Sequence, residues 1–137
     1  MMRLFVMVAA AFALLQLQVP RAKAEADIDP KVNLVTELQA AVRAEDKAWF
    51  VAHLHYPVRY YGKQTRVIKS KPWFLDHYQT IIGPELKASI LAQEDPQKYF
   101  QNYQGVMVGE GSRNIWFDDF GEGDGPKFKI ITINNSD

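Results

Sequence analysis

Prolines divide this chain more sharply than any other residue type. Proline fixes its own φ and has no N–H, so a helix admits it only in the first turn and a sheet only where no ladder bond is needed. Pro30, Pro84 and Pro96 directly follow a residue suited to starting a helix or turn, Asp29, Gly83 and Asp95, and Pro72 stands two positions after Ser70. An Asp or Ser side chain accepts from free first-turn N–H groups, and proline suits the first helical position. Pro57 stands differently. It follows the apolar stretch "AWFVAHL" and marks an end, because the residue before proline avoids helical geometry.

Between these marks the periods are legible. Leu34, Leu38, Ala41 and Val42 recur at helical spacing. "AEDK" at 44–47 is a polar break, and a second short helix follows. In it Trp49 and His53 lie one turn apart, as do Phe50 and Leu54. "YPVRYYG" and "TRVIK" predict two strands about Gly62-Lys63-Gln64, with Tyr56, Val58 and Tyr60 on one face and Arg59 and Tyr61 on the other. "KPWFLDHYQTII" predicts a single helix that buries Phe74, Tyr78, Ile81 and Ile82, with Trp73 and His77 beside that stripe. The next helix carries Leu86, Ile90 and Leu91, and Asp95-Pro96 opens a short turn through "QKYF".

From residue 105 the period becomes strand-like. "GVMVG", "RNIWFDDF" and "FKIITIN" are joined by "EGS" and "GEGDGPK", which predicts an antiparallel meander. In its middle strand Ile115 and Phe117 face one way, and Asn114, Trp116 and Asp118 the other. No repeats and no low-complexity linker interrupt the chain. Helices segregated from an antiparallel sheet define the α+β class. The expected form is a cone, with the N-terminal helices packed in the concave face of a curved, mostly antiparallel sheet.

The first residues, "MMRLFVMVAAAFALLQLQVPRAKA", combine Arg3, an apolar run from Leu4 to Leu15, and Ala22-Lys23-Ala24. That is the pattern of a secretory signal peptide, residues 1–24. The run has 12 residues, against roughly 20 for a membrane span, and no later segment is apolar enough to cross a bilayer. The expected mature chain, 25–137, is one domain, periplasmic or secreted. Three bases leave with the leader and no acid does, so 13 bases face 16 acids. This mildly acidic balance argues against nucleic acid as a partner. There is no cysteine, so disulfides, thiolate metal sites and cysteine nucleophiles are excluded.

"YPVRYYGKQTRVIKSKPWFLDHYQTIIGPELKASI", "GVMVGEGSRNIWF" and "KFKIITIN", taken together after the helices, resemble the nuclear transport factor 2-like (cystatin-like fold) superfamily, in particular small exported bacterial members of unknown function. The landmarks are Tyr56-Pro57, the helix with Phe74 and Tyr78, Pro84-Glu85, Gly105-Val106, Gly109, Ile115-Trp116-Phe117 and the closing run from Lys129 to Asn134. The resemblance implies a cone-shaped domain. The superfamily holds isomerases, dehydratases and polyketide cyclases as well as transport adaptors and binding domains. Its enzymes set a carboxylate or histidine base in the cone, often with a tyrosine. None of their motifs matches this chain residue by residue, so no catalytic residue is carried across.

The chemistry-bearing residues admit two readings each. His53-Leu54-His55 could ligate a metal only if both rings converged, and with His77 they are the only histidines. Their places at a helix end and in a turn argue against convergence, so neither metal nor cofactor is expected. The plainer expectation is that His53 packs beside Trp49 and bonds a backbone carbonyl. Trp49, Tyr56, Tyr60, Trp73, Tyr78 and Trp116 are core by period, yet tyrosine and tryptophan carry polar handles suited to an amphipathic pocket. With His53 and His77 they are the candidate pocket-lining set. Five bases and no acid lie between Arg59 and Lys71, a solvated face or a site for an anionic ligand or acidic partner. Asp118, Asp119, Glu122 and Asp124 form an acidic counterpart, which leaves a homodimer possible. No G-x-S-x-G, H-E-x-x-H or phosphate-binding glycine loop is present. Two function classes follow. One is a non-catalytic binding protein, with a small ligand in the cone or a protein on the open sheet face. The other is an isomerase- or dehydratase-type enzyme using His53 or His77 as base and a tyrosine as proton donor.

Overall fold

The computed structural model describes residues 28–137, and the predicted leader lies outside them. The first helix, α1, runs Pro30–Ala44. Asp29 caps it by accepting from the Lys31 N–H at 2.9 Å. It closes at Glu45, which turns left-handed at φ 50°. Asp46 then donates its N–H back to the Ala41 carbonyl at 2.9 Å. The Asp46 side chain in turn accepts from the Trp49 N–H at 3.0 Å and caps α2, Lys47–His53. "AEDK" is thus a link in which one residue ends a helix and the next begins another.

The predicted single helix over 71–82 is divided. Ser70 caps α3, Lys71–Asp76, and α4 spans Tyr78–Ile81. His77 sits between them at φ −112°, ψ 12°. Its N–H is shared between the carbonyls of Trp73 at 3.1 Å and Phe74 at 3.2 Å. The second of these is the carbonyl that the Tyr78 N–H would need to continue the α ladder. The buried stripe survives the break, since Phe74, Tyr78, Ile81 and Ile82 are all buried. Helix α5, Pro84–Leu91, follows and buries Leu86 and Ile90.

The sheet has six strands in the order β2-β1-β6-β5-β4-β3. These are β1 Leu54–Tyr61, β2 Thr65–Ile68, β3 Phe100–Asn102, β4 Gly105–Glu110, β5 Arg113–Asp119 and β6 Phe128–Asn135. Strand β1 begins at Leu54, two residues before the expected start at Tyr56, so Pro57 lies well inside it. The ladder accommodates it. Pairing with β6 jumps from Leu54–Ile130 to Arg59–Thr132, and pairing with β2 starts only at Val58. Pro57 therefore stands where no ladder bond is asked of it. Strand β3 begins at Phe100, the last residue of the turn expected through "QKYF". It is three residues long and wholly exposed at the sheet edge, so it lacks the apolar alternation that marks a strand.

All pairs are antiparallel except β1 with β6, which is parallel. The fold is α+β, and the sheet is open. Val58, Ile68, Val106, Val108, Ile115, Phe117, Ile130 and Ile133 turn to the helix-covered face and join Leu34, Leu38, Val42, Phe50 and Phe74 in one core. Each such side chain contributes about 2 kcal/mol by leaving water. In β5 Ile115 and Phe117 point inward as predicted. Asn114 is buried as well, because its amide donates to the Gly111 carbonyl at 2.8 Å and its carbonyl accepts from Asn134 at 2.7 Å.

Gly105 opens β4 at φ +135°, and a Cβ there would lie 2.1 Å from the Phe117 carbonyl oxygen. Gly111 has φ +59° with open space around it. Gly105→Ala should therefore lower stability by about 3 kcal/mol or more, and Gly111→Ala by about 1 kcal/mol. Urea unfolding of the two variants checks the difference.

Candidate functional site

Helices α2 and α3 carry the same pattern. Lys47-Ala48-Trp49-Phe50-Val51-Ala52-His53 and Lys71-Pro72-Trp73-Phe74-Leu75-Asp76-His77 both read Lys-x-Trp-Phe-x-x-His. This short repeat escapes a search for long periods. In each copy phenylalanine goes inward. Phe50 and Phe74 are fully buried, their ring centroids 6.4 Å apart. In each copy histidine stacks on tryptophan one turn back. The His53 and Trp49 rings lie 3.9 Å apart at 20°, and those of His77 and Trp73 4.0 Å apart at 16°.

Both imidazoles are held in the same way. Nδ1 of His53 bonds the Trp49 carbonyl at 2.7 Å, and Nδ1 of His77 bonds the Trp73 carbonyl at 2.8 Å. This is the arrangement the sequence predicts for His53. A carbonyl only accepts, so Nδ1 carries the hydrogen and the neutral ring keeps its lone pair on Nε2. Long-range 15N spectra of the neutral rings should show the Nδ1–H tautomer for both residues.

The tyrosines lie deeper. Tyr78 is core, edge-on to Phe50 at 5.8 Å and to Phe74 at 5.9 Å. Tyr60 is buried too and donates to the Thr80 carbonyl at 3.4 Å. The hydroxyls of Tyr56 and Tyr78 are buried with no hydrogen-bond partner among the described residues. Burial raises the phenols of Tyr56 and Tyr60, and it pushes Tyr78 up to about 12, with the charges of Glu45 and Asp46 adding to the effect. Lys47 and Lys87 lie over the Tyr78 ring at 5.2 and 5.6 Å. Lys87 also pairs with Glu45 at 2.5 Å and holds that carboxyl below its ordinary value.

A raised phenol has a definite sign for stability. The unfolded chain ionises at its ordinary value near 10, whereas folded Tyr78 holds its proton to about 12. Its contribution is complete below the lower value and is lost as pH rises toward the upper one. Tyr78→Phe removes an unsatisfied hydroxyl. It should raise stability at neutral pH by about 1 kcal/mol and flatten the loss seen in alkaline unfolding curves.

The eight candidate residues do not converge on one cavity. Trp49 and His53 line a groove of about 780 Å³ along α1, floored by Ala40, Ala41 and Phe128. Tyr60, Trp73 and His77 line a second groove of about 950 Å³, closed by the β1–β2 hairpin and the ends of β5 and β6. Tyr78 belongs to the core, and Tyr56 packs against it. His55 is exposed and leans on Phe120, ring centroids 4.2 Å apart, so it does not meet His53. Among the described residues no three His, Asp or Glu side chains gather as a metal site would require. Besides these tyrosines, the buried polar side chains among them are Gln39 and Asn114.

Trp116 lies on the sheet face turned away from the helices. Val67, Arg59, Thr132, Trp116, Met107 and Phe100 are successive register partners across all six strands, and cross-strand partners share a face. Phe100 is 50% exposed and Val67 49%. Phe100 meets Trp116 edge-on at 6.0 Å. Tyr61 and Phe120 are also exposed. Sequence alternation places Trp116 opposite Ile115 and Phe117, but the row appears only once the register is known. Among the described residues no helix is long and apolar enough to cross a membrane. No family model, curated protein or solved structure matches the chain.

Proposed function

We propose that this chain is an exported, non-catalytic binding protein that takes a protein partner on the open face of its sheet. The observation that carries this reading is the row from Val67 through Arg59, Thr132, Trp116 and Met107 to Phe100. Tryptophan, methionine, phenylalanine and arginine are the residues enriched at the energetic centres of protein interfaces. Trp116 is half-buried between Phe100 and its strand neighbours, so it offers ring surface with little rotamer entropy left to lose. Arg59 and Lys129 supply charge around it.

Two further observations support binding over catalysis. The helix-covered interior is occupied by the bulky side chains of Phe50, Tyr60, Phe74, Tyr78 and Phe117. No carboxylate or histidine is buried among the described residues, whereas a base of the isomerase kind needs an enclosed place beside its substrate. The export reading rests on the pattern of residues 1–24. The resemblance to the nuclear transport factor 2-like superfamily rests on the sequence landmarks from Tyr56-Pro57 to the closing run Lys129 to Asn134.

The test uses the mature chain as bait in an extract of its host's envelope, beside a Trp116→Asp, Phe100→Asp double variant. Both substitutions lie outside the core, so unfolding free energies should agree within about 1 kcal/mol. A partner that cross-links through Lys129 and binds the variant about 100-fold more weakly supports the reading. Capture unchanged by the variant overturns it. So does a small molecule retained in native mass spectra of the purified protein and seated in the core.

A further inference from the structure

The groove beside the β1–β2 hairpin gathers charge and ring surface that neither the core nor the sheet face uses. Lys63 and Arg66 enter it from the hairpin and Arg113 from the start of β5, and the stacked Trp73–His77 pair lines it. Two acids, Glu85 and Asp137, stand against these three cations. Lys63 and Arg66 have no carboxylate partner among the described residues.

Arg113 is aimed. Its Nη1 donates to Oδ1 of Asn135 at 2.6 Å. The Asn135 amide is itself tied down, donating to the carbonyls of Thr80 at 3.4 Å and Ile81 at 3.3 Å. The other arm of the guanidinium, Nη2, meets the carboxylate of Asp137. The two partners differ in solvation. The Arg113 side chain is 24% exposed, the Asp137 side chain 100%. A fully solvated carboxylate gains little from such a pair and exchanges easily for another. Asp137 therefore marks where an anionic oxygen sits against a positioned, partly desolvated guanidinium, which is suited to bidentate carboxylate recognition.

We propose that this groove binds a small aromatic carboxylate. The carboxylate takes the place of Asp137 on Arg113, Lys63 and Arg66 add their field, and the ring packs against Trp73 and His77. The groove's volume of about 950 Å³ is ample for one or two fused rings. The site is independent of the sheet-face reading, because none of these residues belongs to the row through Trp116.

The probe is 2-naphthoate, titrated into the mature protein by calorimetry and followed by NMR at the tryptophan indoles. Saturable one-to-one binding should shift the Trp73 indole and leave that of Trp49 in place. Acetate, which lacks the ring, and 2-naphthalenemethanol, which lacks the charge, should each bind about tenfold more weakly or worse. Arg113→Gln should weaken binding about tenfold or more. Absence of saturable binding overturns the proposal. So do affinity unchanged in Arg113→Gln and shifts centred on Trp49. The Trp116→Asp, Phe100→Asp variant should bind naphthoate as the parent does, so a failure here is distinct from a failure at the sheet face.

Discussion

Everything described depends on the parallel pairing of β1 with β6. Without the strand that makes it, β6, the sheet is two pieces, the β2–β1 hairpin and the β3–β4–β5 meander. The last strand enters between them, pairing Tyr60 with Ile133 on one side and Ile115 with Ile133 on the other. Ile130 and Ile133 are fully buried beneath the helices. The partners are some seventy positions apart in the chain, so this contact carries a large loop-closure cost that only the completed core offsets. The hairpin groove depends on the same pairing. Its cations arrive on β1–β2 and on β5, and β6 brings them together, with Asn135 as the bridge.

The repeated Lys-x-Trp-Phe-x-x-His pattern explains how two short helices fill a core and still dress its rim. Phenylalanine sits one position after tryptophan and points about 100 degrees away from it, so one goes inward while the other stays half-buried. Histidine falls one turn after tryptophan on the same side, stacks on it and bonds its carbonyl. In α3 that bonding coincides with the helix break, because the His77 N–H reaches both Trp73 and Phe74. The break turns α4 so that Tyr78 and Ile81 still reach the core.

Surface chemistry is divided between regions of different character. The open sheet face offers ring, thioether and β-branched side chains in a row. The hairpin groove offers three cations beside stacked rings. The α1 groove is lined by alanines and Trp49 and carries less charge. Desolvation separates these roles: a flat apolar row gains by excluding water over a wide area, whereas a guanidinium held by an amide gains by meeting one anionic group.

What the sequence determined by itself is local. The caps at Asp29 and Ser70, the stripe of Phe74, Tyr78, Ile81 and Ile82, the meander and the His53–Trp49 contact follow from backbone sterics and from periods of 3.6 and 2. Only the tertiary structure decided the rest. The exposed edge strand β3, the shared N–H at His77, the burial of Asn114 through Asn134, and the parallel seat of β6 each depend on geometry or partners that residue periodicity does not encode. The candidate residues show the same division. Their types were legible, but which groove each lines was not, because Trp49 and Trp73 occupy equivalent places in one local pattern and line different grooves.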